Sequence, residues 1–192
     1  MSFSTIPTLV GIAGSLRKGS YNAALLRAAA EVAPSSVHLE QATIAGIPLY
    51  DGDLEAASGL PATVRELQEK IANSAGLLIV TPEYNSSIPG VLKNAIDWLS
   101  RGGDAKRVFG GRPVAITGAS PGRLGTVLSQ TAWLPVLRAL GLNLWPGPRL
   151  LVSEVHKAFD ASGVLVDERV RSQLREFVTG FAEFATGRAP RE

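Results

Sequence analysis

Between Gly14 and Asn22 the chain gathers three small hydrogen-bonding side chains, Ser15, Ser20 and Asn22, and two cations, Arg17 and Lys18. An apolar run, Ile6 to Ala13, leads into this segment, and an alanine- and leucine-rich run, Tyr21 to Val32, follows it. A strand, a small polar loop and a helix N-terminus in that order form an anion site. The loop N–H groups and the positive end of the helix dipole converge on one point. Gly14 and Gly19 can take positive φ and let the backbone come close. The serines and Asn22 offer neutral hydrogen bonds, and Arg17 or Lys18 offers charge. A second reading stands beside this one, in which Ser20 or Asn22 is simply the N-cap of the helix. The segment contains no G-x-x-x-x-G-K-[ST], and Gly11, Gly14 and Gly19 lack the G-x-G-x-x-G spacing. A phosphate ligand other than a nucleoside triphosphate or a dinucleotide is therefore favoured.

The elements that must position this loop alternate between strand and helix. Ile6–Ala13 reads as the first strand and Tyr21–Val32 as the first helix, stopped by Pro34. Ser36–Thr43 alternates, with Val37, Leu39 and Gln41 on one face, as a more exposed strand does. Ala45–Leu60, with its Gly, Pro and Asp residues, reads as a loop. Pro61 opens a helix whose buried face is Leu60, Val64, Leu67 and Ile71, with Glu66 four residues before Lys70. Gly76–Pro82 is continuously apolar, the mark of a strand buried on both faces. Pro89 opens the next helix, facing inward with Ile88, Leu92, Ala95, Ile96 and Leu99 and ending at Gly102-Gly103. Pro113–Gly118 is a fourth strand. Leu124–Leu140 has a helical pattern in which Pro135 should produce a kink or break. Asn143–Val152 is a last strand region interrupted by Pro146-Gly147-Pro148, and Val170, Leu174, Phe177, Phe181 and Phe184 mark a closing amphipathic helix. Five strands separated by helices imply an α/β protein with a parallel sheet covered on both faces.

The chain has 192 residues, enough for one domain over residues 1–192 with a substantial core. Nineteen basic against seventeen acidic residues leave a net charge of +2 with the basic residues dispersed, so nucleic acid is not an expected partner. The absence of cysteine excludes disulfides, a thiol nucleophile and thiolate metal ligation. His38 and His156 are isolated, which gives no metal motif. Met1–Pro7 carries no basic segment ahead of its apolar run, and no apolar stretch reaches the roughly 18 residues of a membrane span. A soluble cytoplasmic protein without a membrane partner is the expectation.

Ligands in open parallel sheets bind at the carboxyl ends of the strands. The loops there are Gly14–Asn22, Pro82–Ile88 and Gly118–Arg123, each rich in Gly, Pro, Ser, Asn or Tyr. Together they suit a flat, neutral, hydrogen-bonding ligand with a phosphate tail. The segments Gly14-Ser15-Leu16-Arg17-Lys18-Gly19-Ser20-Tyr21-Asn22 and Thr81-Pro82-Glu83-Tyr84-Asn85-Ser86-Ser87-Ile88-Pro89-Gly90-Val91-Leu92-Lys93-Asn94-Ala95-Ile96-Asp97-Trp98, in that order, resemble the NADPH-dependent FMN reductase family. That family includes chromate, quinone and azo-dye reductases. The resemblance runs from about Thr8 to Phe184.

The resemblance implies a flavodoxin-like three-layer sandwich with five parallel strands in the order 2-1-3-4-5. It implies bound FMN, with NADPH or NADH as electron donor. Ser15, Arg17, Ser20 and Asn22, with Tyr21 among them, match the family's phosphate loop. Pro82, Glu83, Tyr84, Asn85 and Ser86 match the segment lining the isoalloxazine ring and ribityl chain, and Ser120, Pro121 and Gly122 match residues near the flavin's polar edge. The third loop reads Ala119-Ser120-Pro121-Gly122-Arg123 where relatives often carry more glycine. The implied chemistry is hydride transfer to flavin N5 with no catalytic side chain, then electron transfer to a small-molecule acceptor by ping-pong alternation. The implied acceptors are quinones, azo compounds, metal oxyanions such as chromate, or free flavin. The implied assembly is a homodimer or homotetramer. An alternative is a flavodoxin-like electron carrier or a flavin-binding module without turnover, although such carriers tend to be strongly acidic.

Individual side chains keep two readings. Glu83 is a general base or a structural carboxylate, and Tyr84 stacks on the ligand or is an ordinary half-buried aromatic. Lys93 and Asp97 form a surface pair at helical spacing. Trp98, Trp133 and Trp145 belong to core or interface. Arg123 reaches the NADPH phosphate or is solvated.

Overall fold

The computed structural model describes residues 6–187. The expectations resting on Met1–Thr5, and on the last residues of the proposed domain, lie outside them. The first strand, β1 (Thr8–Ala13), leads to α1 (Tyr21–Val32) and β2 (His38–Ala42). A short helix α2 (Gly52–Ser58) precedes α3 (Ala62–Ala72), β3 (Gly76–Val80) and α4 (Gly90–Leu99). Then come α5 (Ala105–Phe109), β4 (Pro113–Ala119), α6 (Val127–Ala139), β5 (Asn143–Leu144), β6 (Leu150–Val152), α7 (Val155–Ala158) and α8 (Glu168–Thr186).

All the strand pairs are parallel, in the order β2-β1-β3-β4-β5, with β6 also paired to β4. The flavodoxin-like order expected from the resemblance is thus the observed one. Strand alternation builds two core layers. Leu9, Leu78, Val80 and Ala115 pack with α1 and α8 on one face. Val10, Ile12, Leu77, Ile79, Val114 and Ile116 pack with α3, α4, α5 and α6 on the other. β3 is buried at every residue, as its unbroken apolar run requires. Trp98 and Trp133 are fully buried in the second layer, which places them in the core.

Three details depart from the sequence expectations, and one bears them out. The Ala45–Leu60 loop contains α2, a helix with no buried residue, capped by Asp51 accepting from Asp53 N–H at 2.9 Å. Pro135 does not end α6. It lies on the exposed side, so the Thr131 carbonyl it leaves unpaired within the helix is also on an exposed residue where water can serve it. The last strand region is two segments, as the sequence leads one to expect, because Pro146-Gly147-Pro148 leaves the ladder between β5 and β6. Lys70 pairs with Glu40 of β2 at 2.5 Å rather than with Glu66 of its own helix. Among the described residues, no helix is long and apolar enough to cross a membrane.

Candidate functional site

The carboxyl ends of β1, β3 and β4 carry three loops that meet over the sheet. The first is held to the second at its root, where Gly14 N–H donates to the Val80 carbonyl at 2.9 Å. A Cβ at Gly14 would lie 2.6 Å from Leu92 Cδ2 and 2.9 Å from Pro82 Cδ. Space is therefore what Gly14 supplies. Neither Gly14 nor Gly19 uses the positive φ open to a glycine.

Ser20 is the N-cap of α1, its Oγ accepting from Ala23 N–H at 3.2 Å. That arrangement leaves the hydroxyl proton for an acceptor outside the helix. The N-cap reading thus holds for Ser20 and is compatible with anion binding. Asn22 is buried and spoken for. Its Nδ2 donates to the Ala119 carbonyl at 2.9 Å, and its Oδ1 accepts from Ala119 N–H at 2.9 Å. This reciprocal pair locks the N-terminus of α1 to the end of β4, so its side chain positions the loop rather than reaching outward. Arg17 and Lys18 are exposed, and among the described residues neither forms an ion pair.

In the second loop, Thr81 is fully buried. Its Oγ1 donates to the Pro82 carbonyl at 2.9 Å, lies 2.9 Å from Ser129 Oγ, and accepts from Trp133 Nε1 at 3.1 Å. Glu83 turns toward α6, where its Oε2 accepts from Leu128 N–H at 2.8 Å and Ser129 N–H at 3.1 Å. Thr126, the N-cap residue of that helix, makes no side-chain cap bond. Glu83 therefore caps α6 from another loop, with its charge against the positive end of the helix dipole. This is the structural reading of the carboxylate. Tyr84 is 42% exposed, and its hydroxyl lies 3.1 Å from Ser15 Oγ, closing loop one against loop two.

Asn85 and Ser86 both have positive φ, 50° and 60°, in a two-residue turn closed by mutual backbone bonds between Tyr84 and Ser87. Ser86 carries the greater strain there, because serine visits this region less readily than asparagine. The third loop starts where a Cβ on Gly118 would lie 2.1 Å from the Thr81 carbonyl oxygen and 2.3 Å from Thr126 Oγ1. Ser120 Oγ donates to the Gly125 carbonyl at 2.7 Å.

One cleft is lined by Ser15, Arg17, Ser20, Tyr21, Asn22, Pro82, Glu83, Tyr84, Ala119, Ser120 and Pro121. Ten of the candidate residues thus share one wall system. Asn85, Ser86 and Gly122 do not line it: the first two are exposed on the turn, and the Gly122 carbonyl accepts from Glu154 N–H at 3.0 Å. A larger cleft of about 410 Å³ opens on the other side of loop one, between α1, α3 and the edge strand β2. It shares only Ser15 and Leu16 with loop one and contains no aromatic ring. The Thr81–Ser129–Trp133 cluster and the Ala119 backbone were not expected from sequence. Their partners lie 48, 52 and 97 residues away, beyond any local pattern.

Exposed Arg17, a Ser20-capped helix N-terminus and the Tyr84 ring around one cleft suit a phosphate at one end and a planar group at the other. The lone carboxylate lining it is turned onto α6, so it does not oppose an anion. The fold and this cleft define a mononucleotide-binding protein of flavodoxin-like architecture. The profile of the family described as NADPH-dependent FMN reductase matches residues 7–157, and the chain belongs to that family. It is an oxidoreductase whose cofactors are FMN and NAD(P)H.

The chain is 44% identical over 168 residues to the NAD(P)H-dependent FMN reductase PA1204 of Pseudomonas aeruginosa, covering 88% of this chain and 89% of that one. It is 39% identical over 178 residues to a quinone reductase of Escherichia coli, covering 92% and 94%. Among solved structures, the NAD(P)H:acceptor oxidoreductase FerB of Paracoccus denitrificans superposes with a TM-score of 0.84 at 33% identity, covering 95% and 98%.

Proposed function

We propose that the protein is a cytoplasmic NAD(P)H-dependent reductase that uses FMN in the three-loop cleft to reduce quinones and, with less selectivity, azo compounds, free flavin or oxyanions such as chromate. The observation that carries this reading is the cleft itself, with Arg17, which has no ion pair among the described residues, at the α1 N-terminus and Tyr84 across from it. The likeness to proteins named FMN reductase and quinone reductase supports it. FMN held there would supply the redox chemistry that carries reducing equivalents from NAD(P)H to the acceptor, the two substrates binding in turn.

The chain's own residues bind and orient. Arg17 and the first-turn N–H groups of α1 face the phosphate, and Ser20 and Ser15 offer hydroxyls beside them. Asn22 holds α1 to β4, and Glu83 holds loop two to α6. Tyr84, Pro82, Ser120 and Pro121 form the walls against the ring, with Asn85, Ser86 and Gly122 on the loops that carry those walls. No side chain in the cleft is placed as a proton donor or acceptor for the reaction, since the one carboxylate already accepts two backbone bonds. Tuning of the ring falls to backbone N–H groups, as is usual for flavins.

Self-association into a homodimer or homotetramer is part of the proposal. Val91 of α4 and Leu49 beside that helix stand exposed, and Asn94 and Trp98 of α4 both donate to the Pro48 carbonyl. The test is anaerobic mixing of the FMN-loaded protein with NADPH, then with a benzoquinone. Bleaching followed by recovery, with parallel double-reciprocal lines in steady state, supports the proposal. Bleaching that no acceptor reverses favours a module without turnover, and no bleaching favours an electron carrier.

A further inference from the structure

Between Leu144, paired with Val114, and Leu150, paired with Thr117, the edge of the sheet takes six residue steps where β4 takes three. The surplus chain is Trp145 to Arg149, and Pro146 and Pro148 bring no N–H with which to follow β4. The segment therefore bows out, and beside it lies a slot of about 240 Å³. Its walls include Ile116 of β4, Leu134 of α6, Phe177 of α8, and Leu144, Trp145 and Pro148 of the bowed edge. Trp145 is fixed by its surroundings. Its backbone N–H donates to the Val114 carbonyl at 2.9 Å, and its ring crosses Phe177 edge-on at 4.9 Å. A Cβ on Gly147 would lie 2.1 Å from ring atom Cζ2, and one on Gly180 would lie 2.9 Å from the same atom. Gly180 is inside α8, where glycine is a poor helix former, and the space it leaves is filled by the indole. Trp145 stays half-buried and lines the slot.

Arg149 supplies the slot's one charge, since every other residue lining it is neutral. Its Nη2 donates to the Val127 carbonyl at 3.1 Å and its Nε to Gln130 Oε1 at 3.3 Å. Gln130 is buried and fixed in turn, its Nε2 donating to the Leu150 carbonyl at 3.1 Å and to Thr126 Oγ1 at 3.2 Å. The guanidinium is thus held across the gap between the bowed edge and α6 by two neutral acceptors. Among the described residues it forms no ion pair. One edge of the fork, Nε and Nη2, is spent on α6. The other edge, Nη1 and the second N–H of Nη2, keeps the geometry that takes a carboxylate with two parallel bonds.

We propose that this slot is a second binding site, for a small aromatic carboxylate whose ring lies among Trp145, Phe177 and Leu134 and whose carboxylate pairs with Arg149. Apolar walls with a single cation select an apolar body carrying a single negative charge. An apolar cavity of about 150 Å³ accepts a benzene ring, so the slot has room for a fused bicyclic ring and not for a mononucleotide. The aromatic walls favour a ring over an aliphatic chain, because ring pairs gain from edge-to-face and offset contact beyond the area they bury. None of the slot's lining residues lines the three-loop cleft, so the proposal is independent of the flavin reading.

The test is a heteronuclear NMR titration of the FMN-loaded protein with 2-naphthoate. The proposal expects saturable shifts centred on the Trp145 indole N–H and the Gly147 and Gly180 amides. 2-Naphthamide, which keeps the ring and lacks the charge, should bind about tenfold or more weakly, and Arg149→Met should weaken 2-naphthoate binding to the same degree. Leu134→Trp places a larger side chain on an exposed wall residue and should abolish the shifts. Both variants should leave reductase turnover unchanged. An unmoved Trp145 indole, equal binding of the amide, or unaltered binding in Arg149→Met overturns the proposal. Shifts centred on Gly14–Asn22 also overturn it, since they put the compound in the flavin cleft. So does a changed sedimentation coefficient in Arg149→Met, which gives the arginine to a contact between copies of the chain.

Discussion

Replacing Glu83 separates the two roles a carboxylate in this loop can have. As a cap, Glu83 satisfies the N–H groups of Leu128 and Ser129 at 2.8 and 3.1 Å and sets a negative charge at the positive end of a 13-residue helix. Losing an N-terminal cap costs about 0.5–2 kcal/mol. Losing the charge–dipole interaction costs about 0.3–1 kcal/mol more. Glu83→Ala should therefore destabilise the protein by roughly 1–3 kcal/mol. For a chain of this length that is a fall in Tm of about 3–10 °C. Glu83→Gln keeps an acceptor oxygen and loses only the charge, which predicts a fall of about 1–3 °C. Turnover measured at saturating NADPH and quinone, well below either Tm, should stay within about threefold of the parent for Glu83→Gln, because no proton passes through the group. Calorimetry and steady-state kinetics on the two variants decide the matter. An unchanged Tm with a kcat reduced about a hundredfold or more would make Glu83 an acid–base residue and refute the capping argument.

Three further outcomes follow from the same geometry. Arg17→Ala removes an exposed cation with no ion pair among the described residues, so stability should hold within about 0.5 kcal/mol while FMN dissociation, followed by fluorescence, weakens about 10- to 150-fold. Asn22→Ala leaves both backbone groups of buried Ala119 without their partner, and urea denaturation should show a loss of about 2–4 kcal/mol with weaker FMN retention. In the loop beside α4, Arg101 and the Tyr50 hydroxyl hold the Glu55 carboxyl below the ordinary value of 4.5. A carboxyl with a lowered folded-state pKa stabilises above pH 4.5 and loses that contribution as pH falls below it. The exchange protection factors in Pro48–Leu60, taken relative to the intrinsic rate at each pH, should therefore fall between pH 5 and about pH 3 in the parent, and Glu55→Gln should remove that pH dependence of protection.

Much of the fold was legible because its strongest signals are local. The unbroken apolar run of β3, the Pro-initiated helices α3 and α4, and the Pro146-Gly147-Pro148 interruption all reflect rules acting over a few residues. α2 buries nothing and α5 is five residues long, so neither has a hydrophobic period to detect. For the candidate site, sequence picked out the three loops but not the bonds that fix them. Asn22 and Glu83 look like ligand or catalytic groups in one dimension, and Thr81 gives no signal at all. In three dimensions each spends its polar atoms on a backbone or side chain 45 to 97 residues away. Glycine is the other case. Gly14 invites an argument from φ, and only the approach of Leu92 and Pro82 shows that the reason is volume.

The central claim is that the three loops hold FMN, and a crystal structure of the FMN-loaded protein tests it most directly. The phosphate should lie at the N-terminus of α1 within reach of Arg17 and Ser20, with the ring against Pro82, Tyr84 and Ser120. A flavin seated instead in the larger cleft beside β2, with the α1 N-terminus free of phosphate, would contradict the account.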